Sequence, residues 1–321
     1  MRIHVLALDH VFDLGLAAVL DAFRTANELI AMASLDVPPF DVRLVGVRKR
    51  VRSGQGLLVP VERTRRAPDC AIVPAIAYKM PEPLEAALQR DDVRDACELL
   101  RRWSQRGTRM TAACIGTFVM AESGVLNGQR ATTTWWLAPL FRKRYPDVQL
   151  DESNMIVTSG RCVTAGAALS HMDLALFLIR SVSPRLAALT ANYLIVDARP
   201  SQSAYALVDH LVHADPIVQR FERWARAHLA EPFSLDAAAR ASGASPRTLA
   251  RRMHAVLGKS PLGYVQSLRV ERAVHLLRTR KTSLDEVAEK VGYADGGTLR
   301  VLLRRELGTG VKELRRLSSR A

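Results

Sequence analysis

The sequence lacks the features that mark membrane proteins, secreted proteins and zinc proteins. Among its 321 residues no apolar run approaches the ~18 residues that span a bilayer. The apolar stretch Val5–Leu8 is too short for a secretion signal. The four cysteines are Cys70, Cys97, Cys114 and Cys162, and no two of them form a CxxC pair. Because this spacing supports neither a disulfide framework nor a zinc site, we expect a protein of the reduced cytoplasm without a metal or cofactor.

Acidic residues are fewer than basic ones, and the positive excess is unevenly placed. With 46 Lys and Arg against 32 Asp and Glu, the formal net charge is +14. Residues 217–321 carry 21 basic and 10 acidic residues, whereas residues 1–216 carry 25 and 22. A basic C-terminal third suits a polyphosphate partner, since each neutralised phosphate releases counterions. A solvated charged surface would have the same composition. The length predicts about two domains at ~150 residues each.

The C-terminal third contains a duplicated segment. Ser234-Leu235-Asp236 recurs 49 residues later as Ser283-Leu284-Asp285, and after one inserted turn residue the offset becomes 50. The pairs at this second offset are Thr248 and Thr298, Leu249 and Leu299, Leu257 and Leu307, and Gly258 and Gly308. Two copies are fewer than the three that a solenoid needs, so the segment is a duplicated supersecondary motif.

Each copy predicts a short helix, a tight turn and a second helix. In the first copy Ser234 is an N-cap, Gly243 provides the positive φ of the turn, and Ser245-Pro246 begins the second helix. The second helix has one apolar and one basic face. This is helix-turn-helix geometry, expected at about 234–257 and 283–307, in which the second helix enters the major groove. A small helical bundle with a charged exterior is the alternative.

Residues 217–321 resemble the DNA-binding domain of the AraC/XylS family. The motifs that carry the resemblance are ASGASPRTLARRM, GKSPLGYVQSLRVERAVHLL and VAEKVGYADGGTLRVLLRRELG. It implies two helix-turn-helix motifs joined by a central helix, here expected at Leu262–Leu277. It also implies double-stranded promoter DNA as the partner, and RNA polymerase as a second partner if the protein is an activator. The DNA-contacting residues that we expect are Arg247, Thr248, Ala250, Arg251, Thr298, Arg300 and Arg304.

The second copy departs from the family pattern at three positions. Gly296 and Gly297 open its recognition helix where the family usually has polar side chains, and Val311 stands where a proline is common. A glycine has no side chain that could contact DNA bases, and it lowers the stability of a helix by up to ~1 kcal/mol per residue. We therefore expect the first recognition helix to contribute more base contacts than the second.

Residues 1–190 alternate short apolar runs with helical patterns. RIHVLAL, FDVRLVGV, CAIVPAI, RMTAA and RATT predict strands. Helices are predicted at Leu14–Met32, at Pro83–Arg106 and from Gly116 to Gly124. This alternation predicts an α/β domain, a flavodoxin-like sandwich whose mostly parallel sheet is covered on both faces. Such sheets bind ligands at the carboxyl ends of their strands.

Cys114 follows one of these strand ends. A thiol at the start of a helix becomes a better nucleophile, because the helix dipole favours the thiolate. Three interpretations are open, namely a pocket-lining residue, an inert core cysteine and a catalytic nucleophile. A cysteine hydrolase needs an imidazole placed to assist the thiol. Ile115 follows Cys114 and cannot do this, and His171 at the start of an apolar helix is more typical of a core or helix-end residue.

The N-terminal part resembles the ThiJ/PfpI branch of the class I glutamine amidotransferase-like fold. The matching motifs are FDLGLAAVLDAFRTAN, AACIGTFVMAESGVLNGQRATTTWW and TAGAALSHMDLAL. Together with the AraC-type C-terminus, the chain is similar to the GlxA subfamily of transcriptional regulators. Enzymatic relatives carry an acidic residue near the cysteine, at the place of Asp21, and many carry histidine where Ile115 stands. Many GlxA-type regulators have histidine where Thr134 stands.

These departures imply a sensor domain that has kept a pocket and lost catalysis. We expect a small-molecule effector, such as an amino acid or another nitrogenous metabolite, to bind near Asp21, Cys114, Ile115, Thr134 and His171. The resemblance also implies a homodimer. No residue of the sequence selects the effector.

The expected organisation is a sensor domain over 1–195, a linker over 196–216 and a DNA-binding domain over 217–321. The first functional hypothesis is a ligand-responsive transcription regulator of the cytoplasm, with no catalytic residues and no membrane partner. The second is a cysteine-dependent amidase or deglycase-like hydrolase with a DNA-targeting tail. The second requires a reactive Cys114 thiol, so the state of that thiol discriminates between the two.

Overall fold

The structure is a computed structural model that describes residues 1–64, 66–196, 215–279, 282–307 and 310–311. The chain divides into two compact units, Met1–Gln202 and Ser203–Ala321. The expected linker lies almost wholly outside the described residues. Within the described residues, no helix combines the length and the hydropathy that crossing a membrane requires.

The N-terminal unit contains one large sheet and two small ones. The strands that the structure describes are β1 (Arg2–Leu6), β2 (Asp41–Val45), β3 (Arg50–Arg52), β4 (Leu58–Pro60), β5 (Cys70–Val73), β6 (Arg109–Ala113), β7 (Arg130–Ala131), β8 (Gln149–Leu150), β9 (Ile156–Ser159) and β10 (Cys162–Ala165). The large sheet has the order β2-β1-β5-β6-β10-β9. Its pairings from β2 to β10 are parallel, and β9 is antiparallel to β10.

Helices cover both faces of the large sheet. In chain order they are α1 (Asp13–Met32), α2 (Pro81–Leu88), α3 (Asp91–Gln105), α4 (Gly116–Glu122), α5 (Ala138–Arg144), α6 (Ser170–Val182) and α7 (Pro184–Tyr193). Side chains of α2 to α5 form one apolar core, and those of α1, α6 and α7 form the other. The interior strands β5 and β10 are buried at every position, as two covered faces require. The predicted α/β sandwich is confirmed.

Two predicted elements differ from the structure. The RATT segment forms only the two-residue strand β7, which pairs with β8 outside the large sheet. The single helix predicted at Pro83–Arg106 is two helices, because Arg90 has extended backbone between them. In that conformation the Arg90 guanidinium donates from Nη2 to the Asp9 carbonyl and to Asp92 Oδ2, each at 2.8 Å. A contact distant in sequence therefore interrupts a continuous helical pattern.

The C-terminal unit is all-helical in its described residues, as the sequence predicts. Its helices are α8 (Pro216–Ala227), α9 (Leu235–Ala241), α10 (Pro246–Leu257), α11 (Pro261–Thr279), α12 (Leu284–Lys290) and α13 (Gly296–Leu307). Serine side chains begin three of them: Ser234 accepts from the Ala237 N–H and Ser245 from the Thr248 N–H, while Ser283 forms a capping box with Glu286. These bonds satisfy N–H groups that a helix leaves unpaired at its start.

The central helix α11 joins two small cores. Its first half, including Tyr264 and Leu268, packs in a core with α8, α9 and α10. Its second half, beginning at Val270, packs in a core with α12 and α13. One helix thus contributes to both helix-turn-helix motifs, and the point of change lies between Leu268 and Val270.

Arg269 occupies this junction and is buried, with 6% of its surface exposed. Its Nε donates to the Leu229 carbonyl at 2.9 Å, and Nη2 donates to the Glu231 carbonyl. Its guanidinium also lies 5.0 Å from the ring centroid of Tyr293, at the turn of the second motif. A Cβ at Gly292 would come within 2.7 Å of Nη2, so the turn needs glycine for packing as well as for its φ of +82°. Arg269 therefore contacts both the loop before the first motif and the turn of the second motif.

Replacing Arg269 tests whether these contacts stabilise the C-terminal unit. We expect Arg269→Met to lower the free energy of unfolding of the C-terminal unit by about 2–4 kcal/mol, because two carbonyls lose a charged donor and Tyr293 loses its cation. Hydrogen exchange of the backbone amides of α11, followed across a series of urea concentrations, measures the change in the C-terminal unit. Arg272→Met is the matched control, since Arg272 is exposed on the same helix and should shift stability by less than about 0.5 kcal/mol. Equal effects of the two variants would contradict the assignment.

Candidate functional site

The first recognition helix, α10, is amphipathic. Leu249, Met253 and Leu257 are fully buried along one side. Arg247 and Arg251 are exposed on the opposite side. Exposed arginines on the outer face of a recognition helix can make bidentate contacts to guanine in the major groove.

The other two residues predicted on α10 are less accessible. Thr248 and Ala250 are half-buried. The Thr248 N–H donates to Ser245 Oγ at 3.2 Å, and its hydroxyl accepts from the same oxygen at 2.9 Å. Ser245 therefore caps the helix through the Thr248 N–H, and the contact of Thr248 with DNA stays a prediction.

The second recognition helix, α13, has the same construction. The apolar side is buried and consists of Leu299, Leu302, Leu303 and Leu307. Thr298, Arg300 and Arg304 are exposed, as the predicted DNA contacts require. Thr298 also binds the Asp295 carboxylate through its N–H at 2.8 Å and its hydroxyl at 2.9 Å. These two bonds lower the pKa of Asp295, so a carboxylate caps this helix.

The two glycines that open α13 have different structural reasons. Gly296 is buried, its N–H donates to Asp285 Oδ1 at 2.8 Å, and a Cβ there would come within 3.0 Å of Leu284 Cγ. Glycine at this position lets α13 begin directly against α12. Gly297 is exposed, and a Cβ there would meet only the Asp295 carboxylate. Gly296 therefore has a packing role in addition to the expected loss of a side chain that could contact DNA.

In the N-terminal unit, Cys114 lies at a sharp turn between β6 and α4. Its φ is +54°, and the turn brings α4 so close to β5 that a Cβ at Gly116 would lie 2.2 Å from the Val73 carbonyl oxygen. Two other non-glycine residues with positive φ, His10 and Ala167, lie just beyond β1 and β10. Strained backbone is therefore concentrated at the carboxyl edge of the sheet, where α/β proteins place ligands.

The Cys114 residue is enclosed by its neighbours. Its N–H donates to the Ala165 carbonyl at 2.7 Å, and the Thr133 hydroxyl donates to the Cys114 carbonyl at 2.8 Å. The Thr134 hydroxyl approaches the thiol without reaching full hydrogen-bond geometry. Burial raises the pKa of the Cys114 thiol to about 12. The thiolate that the hydrolase hypothesis requires is therefore not favoured at neutral pH.

His171 is buried against the same end of β5. Its Nε2 accepts from the Ala75 N–H at 3.0 Å, and its Nδ1 lies 2.8 Å from the Ala168 carbonyl oxygen. Because the Ala75 N–H points at Nε2, Nε2 is the acceptor and the ring proton belongs on Nδ1. Both ring nitrogens therefore form hydrogen bonds with backbone groups. Burial lowers the pKa of His171 to about 4. The residue is thus a neutral packing imidazole that connects β5 to α6, and it has no lone pair left to act as a general base.

The space around His171 is filled on the α1 side too. The Phe12 ring centroid lies 6.0 Å from that of His171. A Cβ at Gly15 would come within 2.6 Å of His171 Nε2. Gly15, and not an acidic residue, is therefore the α1 position that faces the imidazole.

Asp21 does not belong to this cluster. Before the last two residues of α1, which are also exposed, its exposed positions follow a helical stripe that consists of Leu14, Ala17, Asp21, Arg24 and Glu28. Cys114, Ile115, Thr134 and His171 are instead all at least 97% buried. The prediction that Asp21 lies beside the cysteine is therefore wrong. The buried side of α1 runs through Gly15, Val19 and Ala22, and the helical period puts Asp21 on the opposite, exposed side.

Two clefts are described on this unit, and neither borders Cys114. One of about 470 Å³ lies between α1 and β2 and includes Arg24, Asn27 and Phe40. The other, also about 470 Å³, lies beside α3 and includes Arg48, Arg63 and Arg102. Of the five residues predicted for the effector pocket, four are buried, and Asp21 lies apart from them on the exposed face of α1.

Comparison with known proteins finds a separate family match for each of the two parts of the chain. Residues 1–181 match the DJ-1/PfpI family, and residues 238–317 match a helix-turn-helix domain. The chain belongs to the DJ-1/PfpI family. The expected combination of a ThiJ/PfpI-type N-terminal domain with an AraC-type C-terminal domain is thereby confirmed.

Three known proteins illustrate the match. The HTH-type transcriptional regulator GbdR of Pseudomonas aeruginosa is 27% identical over 302 residues, covering 90% of this chain and 77% of that protein. CdhR, another HTH-type transcriptional regulator of that organism, is 27% identical over 199 residues, or 60% of this chain and 59% of that protein. A ThiJ/PfpI family protein from Pseudomonas syringae superimposes with a TM-score of 0.50 at 15% identity, covering 62% of this chain and 76% of that chain. The last similarity shows the fold alone.

The buried thiol gives a direct chemical prediction. We expect Cys114 in the native protein to resist iodoacetamide at pH 7.5, because a thiol with a pKa of about 12 is almost wholly protonated and is out of contact with solvent. Mass spectrometry of tryptic peptides measures the extent of alkylation. In guanidinium chloride all four cysteines should react, which serves as the control. Rapid and selective labelling of Cys114 in the native protein would favour the hydrolase hypothesis.

The two glycines of α13 give a paired stability prediction. Gly296→Ala should destabilise the C-terminal unit by about 1–3 kcal/mol, because its methyl group collides with Leu284 and Asp285. Gly297→Ala should be neutral or stabilise by up to about 1 kcal/mol, since alanine favours the helix and the Asp295 side chain can move. Thermal unfolding of both variants provides the comparison, and a reversed order of stability would refute the packing role of Gly296.

Proposed function

We propose that this DJ-1/PfpI-family protein is a DNA-binding transcription regulator with a sensor domain that does not catalyse a reaction. The observation that carries the proposal is the pair of capped helix-turn-helix motifs, each presenting a recognition helix with exposed arginines. The match of residues 238–317 to a helix-turn-helix domain supports it, as does the similarity to GbdR over most of the chain.

The absence of catalysis is inferred from the state of the two candidate residues. A nucleophilic cysteine requires a low pKa or an adjacent base. Here burial raises the pKa of the Cys114 thiol, and both ring nitrogens of His171 form hydrogen bonds with backbone groups. The strained turn at Cys114 is a feature that a cysteine hydrolase could use, but the buried, protonated thiol opposes that use.

We further propose that an effector binds at the carboxyl edge of the sheet, after a local opening near Cys114. The buried hydroxyls of Thr117 and Thr134 have no hydrogen-bond partner among the described residues. A polar ligand such as an amino acid or another nitrogenous metabolite would supply one, and unpaired buried hydroxyls favour such a partner energetically. Asp21 is not part of this proposed site.

The remaining parts of the proposal follow from the regulator function. The sensor domain comprises 1–195, the linker 196–216 and the DNA-binding domain 217–321. The protein acts in the cytoplasm as a homodimer, and it contacts RNA polymerase if it is an activator. Promoter DNA is bound through Arg247, Arg251, Arg300 and Arg304, with Thr248, Ala250 and Thr298 beside them.

Selection of bound fragments from genomic DNA tests the proposal. The purified full-length protein should enrich a defined site at ~150 mM salt, a concentration that suppresses purely electrostatic binding. Arg251→Ala should weaken binding to that site by about 1–3 kcal/mol, mostly as lost discrimination at one base. Sequencing of the bound fragments measures the enrichment, and fluorescence anisotropy with labelled duplexes measures the loss of affinity.

The matched control is Arg24→Ala. It removes the same charge from an exposed position of the N-terminal unit and should leave affinity for the selected site unchanged. Diffuse binding that disappears at ~150 mM salt, with no enriched sequence, would contradict the proposed function.

A further inference from the structure

One exposed apolar side chain on α13 has no role in folding. Val301 is 70% exposed in the middle of a recognition helix. Valine at an exposed helix position has neither favourable helix propensity nor a core contact to explain it. The surrounding exposed residues are polar or basic, so this valine is an isolated apolar group on a surface built for DNA.

Helical geometry puts Val301 at the centre of the outward face. Successive residues of an α-helix turn by about 100°, so the buried side through Leu299 and Leu303 fixes the direction of every other position. Val301 then points almost directly away from the core. Arg300 and Thr298, which the sequence predicted as readers, lie about 100° and about 60° to either side of it. Gly297, one turn before Val301 on the same face, leaves no side chain in front of it.

The internal repeat identifies the counterpart of Val301. At the offset of 50 residues that relates α10 to α13, Val301 corresponds to Arg251. Each is the sixth residue of its helix and each is exposed. The central outward position thus holds a guanidinium in the first motif and two methyl groups in the second.

We propose that Val301 is a specificity-determining residue that packs against the 5-methyl group of a thymine in the second segment of the DNA site. The proposal rests on the proposed DNA-binding function and deepens it. In the major groove only thymine among the four bases presents a methyl group, and apolar side chains recognise it by contact. The absence of a side chain at Gly297 lets this face approach the base edges closely. The second motif therefore reads bases by apolar contact, in contrast to the arginine readout of the first.

Removing single methyl groups from the DNA tests the proposal. After the bound site of the full-length protein has been selected, each thymine of the second segment is replaced singly by deoxyuridine, which lacks only the 5-methyl group. Anisotropy should show about fourfold weaker binding at one thymine, the loss expected for about 0.8 kcal/mol per buried methyl group. Val301→Ala should bind the unmodified site more weakly by a similar factor.

The coupling between the two changes is decisive. Val301→Ala should be insensitive to deoxyuridine at that one position, because the side chain that touches the methyl group is gone. It should stay folded, since alanine favours an exposed helix position more than valine does. Val301→Arg should shift the selected base at this position from thymine to guanine. Arg251→Ala, in the first motif, should leave the deoxyuridine effect unchanged.

The outcomes separate this proposal from the one on which it rests. If the wild-type protein selects no defined site, the proposed function fails and this proposal fails with it. If a site is selected but wild type and Val301→Ala respond identically to every deoxyuridine, the DNA-binding function stands and the role of Val301 is overturned.

Discussion

The C-terminal unit depends on a single buried guanidinium. Two recognition helices can read two groove segments of one DNA face only if their separation is fixed, and the groove repeats about every 34 Å. The central helix provides the length, but a helix that contributes to two small cores could pivot between them. Arg269 prevents this, because it binds carbonyls before the first motif and lies against the Tyr293 ring in the second. Its hydrogen bonds to the loop before the first motif and its contact with the Tyr293 ring together join the two duplicated motifs.

In the N-terminal unit, burial determines the protonation state of the two side chains that the hydrolase hypothesis would use, Cys114 and His171. The strained turn at Cys114 presents a thiol in the place where α/β proteins carry out reactions at the carboxyl edge. Desolvation then opposes every charged state there: it raises the pKa of the thiol and lowers the pKa of the His171 imidazole. Both shifts favour the neutral forms of the thiol and the imidazole. The proposed effector site rests on this strained edge and on the unpaired hydroxyls of Thr117 and Thr134.

Local signals in the sequence predicted most of the fold. Serine caps, turn glycines and apolar periodicity determine where α9, α10 and α12 begin, and these signals act within four residues of one another. The interruption at Arg90, the packing role of Gly296 and the exposed position of Asp21 were not predicted from the sequence. The first two depend on neighbours distant in the chain, namely Asp9 and the α12 residues. Asp21 was placed by resemblance, although the period of α1 was readable and assigns it to the solvent side.

The asymmetry between the recognition helices has a consequence for the kind of site that one chain can recognise. In the proposed readout, a bidentate arginine contact is charge-assisted and a methyl contact is apolar, so the two segments of the site would contribute to affinity by different physical effects. Both helices belong to one sequence repeat and bury a similar apolar stripe. They differ at the central outward position, which holds Arg251 in the first and Val301 in the second. A site read by such a pair has a direction along the DNA, and a single chain can therefore bind a promoter in one orientation without help from a symmetric partner.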